Sequence, residues 1–498
     1  MNILITPKFV SILLLSNCLF TLPAQTQSQQ HENDVVNLVG ALLHDTPIEE
    51  DLLELCDGIG GRVTGSEANK KSVDWGLKKF QDAGLSAHKE AFEMPGLWLE
   101  NESKASIRGA ISFEPKIVAR CFSPATPSEG DEAELVDGGM GTAEDFKRLG
   151  TAAKDKYLLI ETGELLDVAG LFAEYAANQG IEQLAKEAGV KGLVYMSSRP
   201  KRLLFTYFAS QGYENQLILA TMAREDAQRC MRSLRKGDKL TLRLFLDLEI
   251  GGSYESHNVI AEIKGSEKPE EIILIGSHLD SWGLGTGAND NGCNVGLMID
   301  IARQMKKLGI QPKRSIRFAL WNGEEQGYLG SYGYVKAHQK ELDKHIMTMS
   351  VDIGSGKING FYTNGREELI KIVDEALWPV LGLGPFKQVN APVVGTDNFD
   401  FMIEGVANLI ASHESANYGP HYHAESDTYD KILFPSLKIN SAIVAAVTLG
   451  FANMDKVPYK RHTRSDIEEI MANSNLEDQM RWVNVWNVWK NKERGRKD

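Results

Sequence analysis

The chain has 498 residues, of which 42% are hydrophobic and 24% charged, with a formal net charge of −14. That balance is ordinary for a globular protein and excludes a disordered or fibrous one; 46 Gly and 16 Pro exclude collagen-like and low-complexity repeats. No basic stripe occurs before the last few residues, so a nucleic-acid partner is not expected, and the acidity reads as solubility.

At ~100–200 residues per domain the length predicts two or three domains. Met1 to about Ala24 reads as a secretory signal. Lys8 precedes the apolar stretch from Phe9 to Leu15, and Thr21-Leu22-Pro23-Ala24 offers a small residue for cleavage. The segment is too short and interrupted for a spanning helix of ~20 residues. Secretion, extracellular or periplasmic, is the expectation. Lipid attachment through Cys18 is the alternative, which Asn17 disfavours. The polar stretch from Gln25 to Asn33 is expected to be disordered.

Ser66 is placed to cap a helix running through Val73, Leu77 and Phe80 and ending before Gly84. Strands and turns follow from about His88 to Phe113. From about Lys116 to Asp247 the texture is that of an inserted β-rich module. Ala133–Val136, Tyr157–Ile160 and Val190–Tyr195 read as strands, and Ile181, Leu184, Ala185 and Ala188 as one face of a helix stopped by Gly189. A Cys121–Cys230 bridge within this module and buried free thiols are both compatible with the spacing, and no CxxC pair offers a thiolate zinc site.

From Asn258 the pattern alternates strand and helix: Val259–Ile263, Ile272–Ile275, a helix from Gly292 to Leu308, then strands at Ile316–Leu320 and Ile346–Val351. Alternating β and α predicts an α/β fold with a mixed or parallel sheet covered by helices. Ser441–Phe451 is about half the length of a membrane span, so a buried core helix is expected and no transmembrane anchor. Trp482, Trp486 and Trp489 fall near one helical face in the charged tail, as in a docked C-terminal helix.

The acidic residues and histidines of this second half sit where strands end. Ile272–Ile275 runs into His278-Leu279-Asp280, Phe318–Leu320 into Glu324-Glu325, and Ile346–Val351 into Asp352. Asp290 precedes a helix, and His423 lies in His421-Tyr422-His423, with Asp427-Thr428 downstream. In open α/β sheets, ligands bind outside the carboxyl ends of the strands. Carboxylates gathered there repel one another, and divalent cations resolve the repulsion. Two His with three carboxylates, one shared, suit two zinc ions, which together can activate water and polarise a carbonyl. Each residue alone is weak evidence: HxD is commonplace, Glu-Glu is usually a solvated face, and Asp before a helix is normally a cap. His421 and His423 on a strand would face the same way. The ordered set carries the signal. No HExxH and no GxSxG occurs, and Gly283–Gly287 lacks the Lys-Ser/Thr of a phosphate loop.

At Ser277-His278-Leu279-Asp280-Ser281-Trp282, Gly287-Ala288-Asn289-Asp290, Leu320–Gly327 and Gly395-Thr396-Asp397 the sequence resembles the M28 family of zinc metallopeptidases, and within it the carboxypeptidase-type members. The likeness covers nearly the whole mature chain, including Gly61–Ser66. It implies a zinc-exopeptidase sheet flanked by helices, with a protease-associated (PA) module inserted. With the signal peptide read over 1–24, the division is the N-terminal part of the peptidase domain over 25–115, the PA-like insert over 116–247 and the metal-binding part over 248–455, followed by a helical tail over 456–498 outside the match. It implies that His278 and Asp352 complete one zinc site, Glu325 and His423 the other, and that Asp290 bridges them. Glu324 would be the general base, and Asp280 would orient His278 through its other ring nitrogen. Asn291, Asn398 and the run Asn417–Tyr422 depart from the family pattern, and Tyr418 or Tyr422 could donate to an oxyanion or simply wall the site.

The resemblance implies a dizinc exopeptidase acting on short peptides or dipeptides, of carboxypeptidase or dipeptidase type. An M28 aminopeptidase shares the metal centre. A non-catalytic receptor-like ectodomain would have lost ligands, and a glutaminyl cyclase would lack the insert and the two-metal set. Many relatives are dimers, so a homodimer is a further possibility.

Overall fold

Two seven-stranded sheets organise the chain, seen in a computed structural model that describes residues 27–165 and 168–498. The expected signal over 1–24, with Cys18, lies outside those residues. In chain order the strands are β1 (Ser86–Met94), β2 (Leu97–Gly109), β3 (Ile117–Ala119), β4 (Asp131–Asp137), β5 (Tyr157–Ile160), β6 (Gly192–Met196) and β7 (Ile218–Met222). There follow β8 (Leu240–Gly251), β9 (Tyr254–Ile263), β10 (Lys268–His278), β11 (Arg314–Trp321), β12 (His345–Ser350), β13 (Ile358–Tyr362) and β14 (Asn408–His413).

The first sheet has the order β1-β9-β11-β10-β12-β14-β13. Its four central strands, β11, β10, β12 and β14, are mutually parallel, and the flanking pairs are antiparallel. Burial on both faces is what the unbroken apolar run of β10 requires. Ile273 and Ile275 join the large core formed with helices Glu67–Asp82, Cys293–Lys307 and Phe434–Asn453, while Ile272 and Leu274 pack on the other face with Trp321, Tyr334 and Phe401. Helix Phe434–Asn453 is the single helix among the described residues long and apolar enough to span a membrane, and it is mostly buried in this core.

The second sheet has the order β2-β8-β4-β5-β6-β7-β3, again with four parallel strands (β4, β5, β6, β7) between antiparallel ones. It differs from the expectation in two ways. It starts upstream of residue 116, because β2 pairs along its length with β8. It also holds helices Ala143–Leu149 and Arg224–Leu234, which the sequence reading did not place, besides Val168–Ala188, which ends before Gly189 as expected. Cys121 and Cys230 are buried and free, so they form no bridge.

Three local expectations are corrected. Residues from Gln27 are helical (Gln27–Leu43) rather than disordered, because Val35, Leu38 and Leu42 bury against the main core. The tail is three short helices, Arg464–Ala472, Leu476–Trp482 and Trp486–Lys490, so Trp482 and Trp486 lie on different helices and Trp489 is the buried one. His421 and His423 are not on a strand: helix Tyr418–His421 ends between them, and His421 turns to Ser426. Ser66 does cap its helix, accepting from the Asn69 amide.

Candidate metal centre

Register decides which strand ends meet. Gly276 pairs with Ser350, which sets His278 level with Asp352, and His278 itself pairs with Trp321, just before the turn that carries Glu324 and Glu325. Gly323 opens that turn with φ 70°, a conformation L side chains rarely adopt. Asp290 lies in the buried loop before helix Cys293–Lys307, and His423 follows helix Tyr418–His421. The result is a buried cluster of His278, Asp290, Glu324, Glu325, Asp352 and His423.

The cluster has two lobes. His278 Nε2 lies 2.9 Å from Asp352 Oδ1 and 3.2 Å from Asp290 Oδ1. His423 Nε2 lies 3.0 Å from Glu325 Oε2 and 3.2 Å from the other oxygen of Asp290, Oδ2. Asp290 thus faces both imidazoles, and each lobe groups three ligand atoms within 4.8 Å of one another. Glu324 belongs to neither group; its Oε2 is 3.9 Å from His278 Nε2.

The proton inventory tests whether cations fit. His278 Nδ1 faces the Asp280 carbonyl at 3.0 Å, and His423 Nδ1 faces the Thr206 carbonyl at 3.1 Å. A carbonyl only accepts, so both Nδ1 atoms carry protons, and each neutral ring aims its Nε2 lone pair at carboxylates. Lone pair against carboxylate is repulsive unless a cation or further protons intervene. Buried Asp290 Oδ2 and Glu325 Oε1 also have no hydrogen-bond partner, as metal-ligand oxygens would not. The donor set, His with carboxylates, suits zinc and other first-row divalent cations.

Without a cation the groups share protons. Burial lowers His278 and His423, but Asp352 and Glu324 outweigh it for the first, and Glu325 and Asp290 lift the second to about 9. Burial opposes ionisation of Asp290, yet the two imidazoles hold its carboxyl below the ordinary range. Glu325 is pushed up to about 7 by burial, partly offset by His423. Burial raises Glu324 well above the carboxylate range; His278 opposes this, and Asp352, Glu325 and Asp397 add to it.

Asp280 works differently from expectation. Its carboxylate is 3.7 Å from His278 Nδ1, farther than its own carbonyl. The carboxylate accepts from Thr64 Oγ1 at 2.8 Å and from the Glu324 and Glu325 amides at 3.3 and 3.4 Å. One residue therefore aligns His278 through its main chain and the Glu-Glu turn through its side chain.

Two supporting residues carried only faint sequence signals. Asp427, noted downstream of His423, accepts the Asn289 and Asp290 amides at 2.8 and 3.1 Å and so fixes the main chain that carries Asp290. Arg62, in the Gly61–Ser66 string, is fully buried and donates to the carbonyls of Leu279, Thr286 and Gly287 at 2.8, 2.6 and 2.9 Å, tying the N-terminal segment to the loops that carry His278 and Asp290. The departures from the family pattern are accounted for by local bonds. Asn291 donates to Val351 O at 2.9 Å, and Asn398 to Val393 O at 3.2 Å. The Tyr418 hydroxyl donates to Asp352 O at 3.4 Å, and those of Tyr422 and Tyr175 are paired at 3.1 Å.

The cluster floors a cavity of about 620 Å³. The second sheet's module lines it with Phe122, Tyr175, Phe208 and Tyr213, and the tail with Trp482 and Val485. Gln179 donates to Arg481 O at 3.0 Å and Asn484 to Ser210 O, so module and tail meet beside it.

The profile of peptidase family M28 matches residues 258–448. Carboxypeptidase Q of Xenopus laevis is 27% identical over 413 residues, covering 82% of this chain and 86% of its own. The crystal structure of a peptidase M28 precursor from Shewanella amazonensis superposes with TM-score 0.79 at 29% identity, over 86% of this chain and 99% of that one. A zinc aminopeptidase from Bacillus subtilis shares the fold, with TM-score 0.65 at 22% identity over 84% and 98% of the two chains. The family profile spans β10, β11 and β12 with the loops that carry all six clustered side chains, and the protein is a metallopeptidase that matches family M28 over that part of the chain and resembles carboxypeptidase Q over most of its length.

Proposed function

We propose that the protein is a secreted dizinc exopeptidase that hydrolyses short peptides or dipeptides, of carboxypeptidase or dipeptidase type. The observation that carries this reading is the pair of buried ligand groups sharing Asp290. His278 and Asp352 would hold one zinc ion and Glu325 and His423 the other, with Asp290 between them. Such a pair, when bound, supplies a polarised carbonyl and a water acidified towards neutrality. Glu324 lines the same cavity outside both ligand groups, which suits it to take the proton from the attacking water and return it to the leaving amine. Asp280 holds the Glu324 amide and so the turn that aims this carboxylate. The module over 116–247 is read as a PA-like insert. Its loops and the tail over 456–498 narrow the cavity to the size of a short peptide.

An aminopeptidase is the second reading, and one observation favours it. Apart from the two imidazoles of the cluster, Arg494 is the only basic side chain among the described residues lining the cavity. Its guanidinium is held by both oxygens of Asp400 at 2.7 and 2.6 Å. A substrate carboxylate therefore meets no unengaged arginine or lysine there. The likeness to carboxypeptidase Q weighs on the other side.

A product assay on the zinc-loaded mature chain decides between them, with a chelator control. Cleavage of N-blocked peptides identifies a carboxypeptidase, cleavage of C-blocked peptides alone an aminopeptidase, and cleavage of dipeptides alone a dipeptidase. No chelator-sensitive cleavage of any of them overturns the peptidase reading of the site.

A further inference from the structure

We infer that the second-sheet module is a positioning part of the metal centre: its segment from Leu204 to Thr206 sets the tautomer and orientation of His423 and so governs the Glu325/His423 position, not the His278/Asp352 one. This rests on the dimetal reading above.

His423 is an awkward residue to hold. Its φ is 53°, the left-handed region that few non-Gly residues occupy, and it lies on no strand or helix. Backbone bonds to the module hold it in place. The Thr206 amide donates to His423 O and the Glu425 amide to Leu204 O, both at 3.1 Å, an antiparallel bridge between two loops distant in sequence. Across that bridge Thr206 O accepts from His423 Nδ1. The proton stays on Nδ1, and Nε2 is left bare towards Asp290 and Glu325.

The module side of the bridge is itself anchored. Thr206 Oγ1 donates to Ala119 O at 3.0 Å, at the end of β3. The Leu204 amide donates to Glu425 Oε1 at 3.0 Å, and Lys116 Nζ to Glu425 Oε2 at 2.6 Å. Arg199, fully buried, donates to Tyr422 O at 3.0 Å. His278 needs no such help: its Nδ1 acceptor, Asp280 O, lies two residues on in its own strand exit. One lobe of the cluster is thus complete within the first sheet, and the other borrows its alignment from the second.

Buffered Zn²⁺ titration of the full chain, read as bound metal per chain, tests this without recourse to activity. Thr206→Pro removes the Thr206 N–H from the bridge, and Glu425→Gln removes the charge that Lys116 pairs with. In both variants one of the two binding steps should weaken by about 10–100-fold, the usual cost of losing a partner behind a metal ligand. It should be the same step that His423→Ala eliminates, and the other step should keep its wild-type affinity. If Thr206→Pro does not fold, as judged by circular dichroism, Glu425→Gln decides. Two unchanged steps, or two equally weakened steps in a folded variant, overturn this inference alone. A wild-type chain that takes up fewer than two ions overturns the dimetal reading and this inference with it.

Discussion

The two sheets share a plan, four parallel strands between antiparallel ones, yet the carboxylates at their strand ends are balanced differently. In the second sheet β4 ends in Asp137 and β5 runs into Glu161, two carboxylates side by side as in the first. Both are met by Arg235, at 2.9 and 2.6 Å, on a half-exposed surface. These carboxylates raise the Arg235 guanidinium above its ordinary range, and the charges are balanced within the chain. At the end of the first sheet Asp290, Glu324, Glu325 and Asp352 are buried, and their ion-pair partners among the described residues are two imidazoles. Among the described residues, no arginine or lysine forms an ion pair with any of the four. Carboxylates at strand ends therefore do not by themselves mark a metal site. Burial with no arginine or lysine paired to the carboxylates is what sets the first group apart, because a cation from outside the chain would offset its desolvation cost.

The comparison should break most completely at Asp290, which faces both imidazoles. Asp290→Ala should remove a ligand from both lobes, so metal content measured after dialysis should fall below one ion per chain and peptide hydrolysis to the chelated level. Two retained ions would show that the lobes do not share this group. Glu324→Gln sharpens it, because Glu324 is buried with the ligands but lies outside both groups. Zinc content should be unchanged while kcat drops by about 10²–10⁴-fold, the usual worth of a general acid–base group. Full activity would remove Glu324 from the mechanism. The smallest effect belongs to the second sheet. Arg235→Ala should lower unfolding free energy by less than about 1 kcal/mol, as for other exposed ion pairs, and leave kcat/KM unaltered. A large loss of activity there would mean that the two strand ends are not as independent as their charges suggest.

The elements that carry chemistry were legible for a simple reason. A parallel strand buried on both faces reads as a run of apolar residues, and whatever polar residue follows it stands at the carboxyl end of the sheet. His278, Glu324, Glu325 and Asp352 were found that way. Asp290 and His423 lie on loops and needed the ordered set, and their assigned roles needed the family resemblance. The tail misled because three Trp near one helical period say nothing of the turns at Val483–Val485 that divide them between helices. Gln27–Leu43 misled because its first residues are polar and the first buried side chain among its described ones is Val35.

The sequence by itself determined the α/β class, the residues gathered at the strand ends and the carboxylate excess that calls for cations, since these depend on residue type and local period. The tertiary structure alone decided what surrounds them. It paired β2 with β8, turned the Asp280 carboxylate to the Glu324 and Glu325 amides, and brought Thr206, more than 200 residues away, to His423. Those contacts run largely through main-chain amides and carbonyls, which every residue but proline carries alike, so no side-chain pattern announces them.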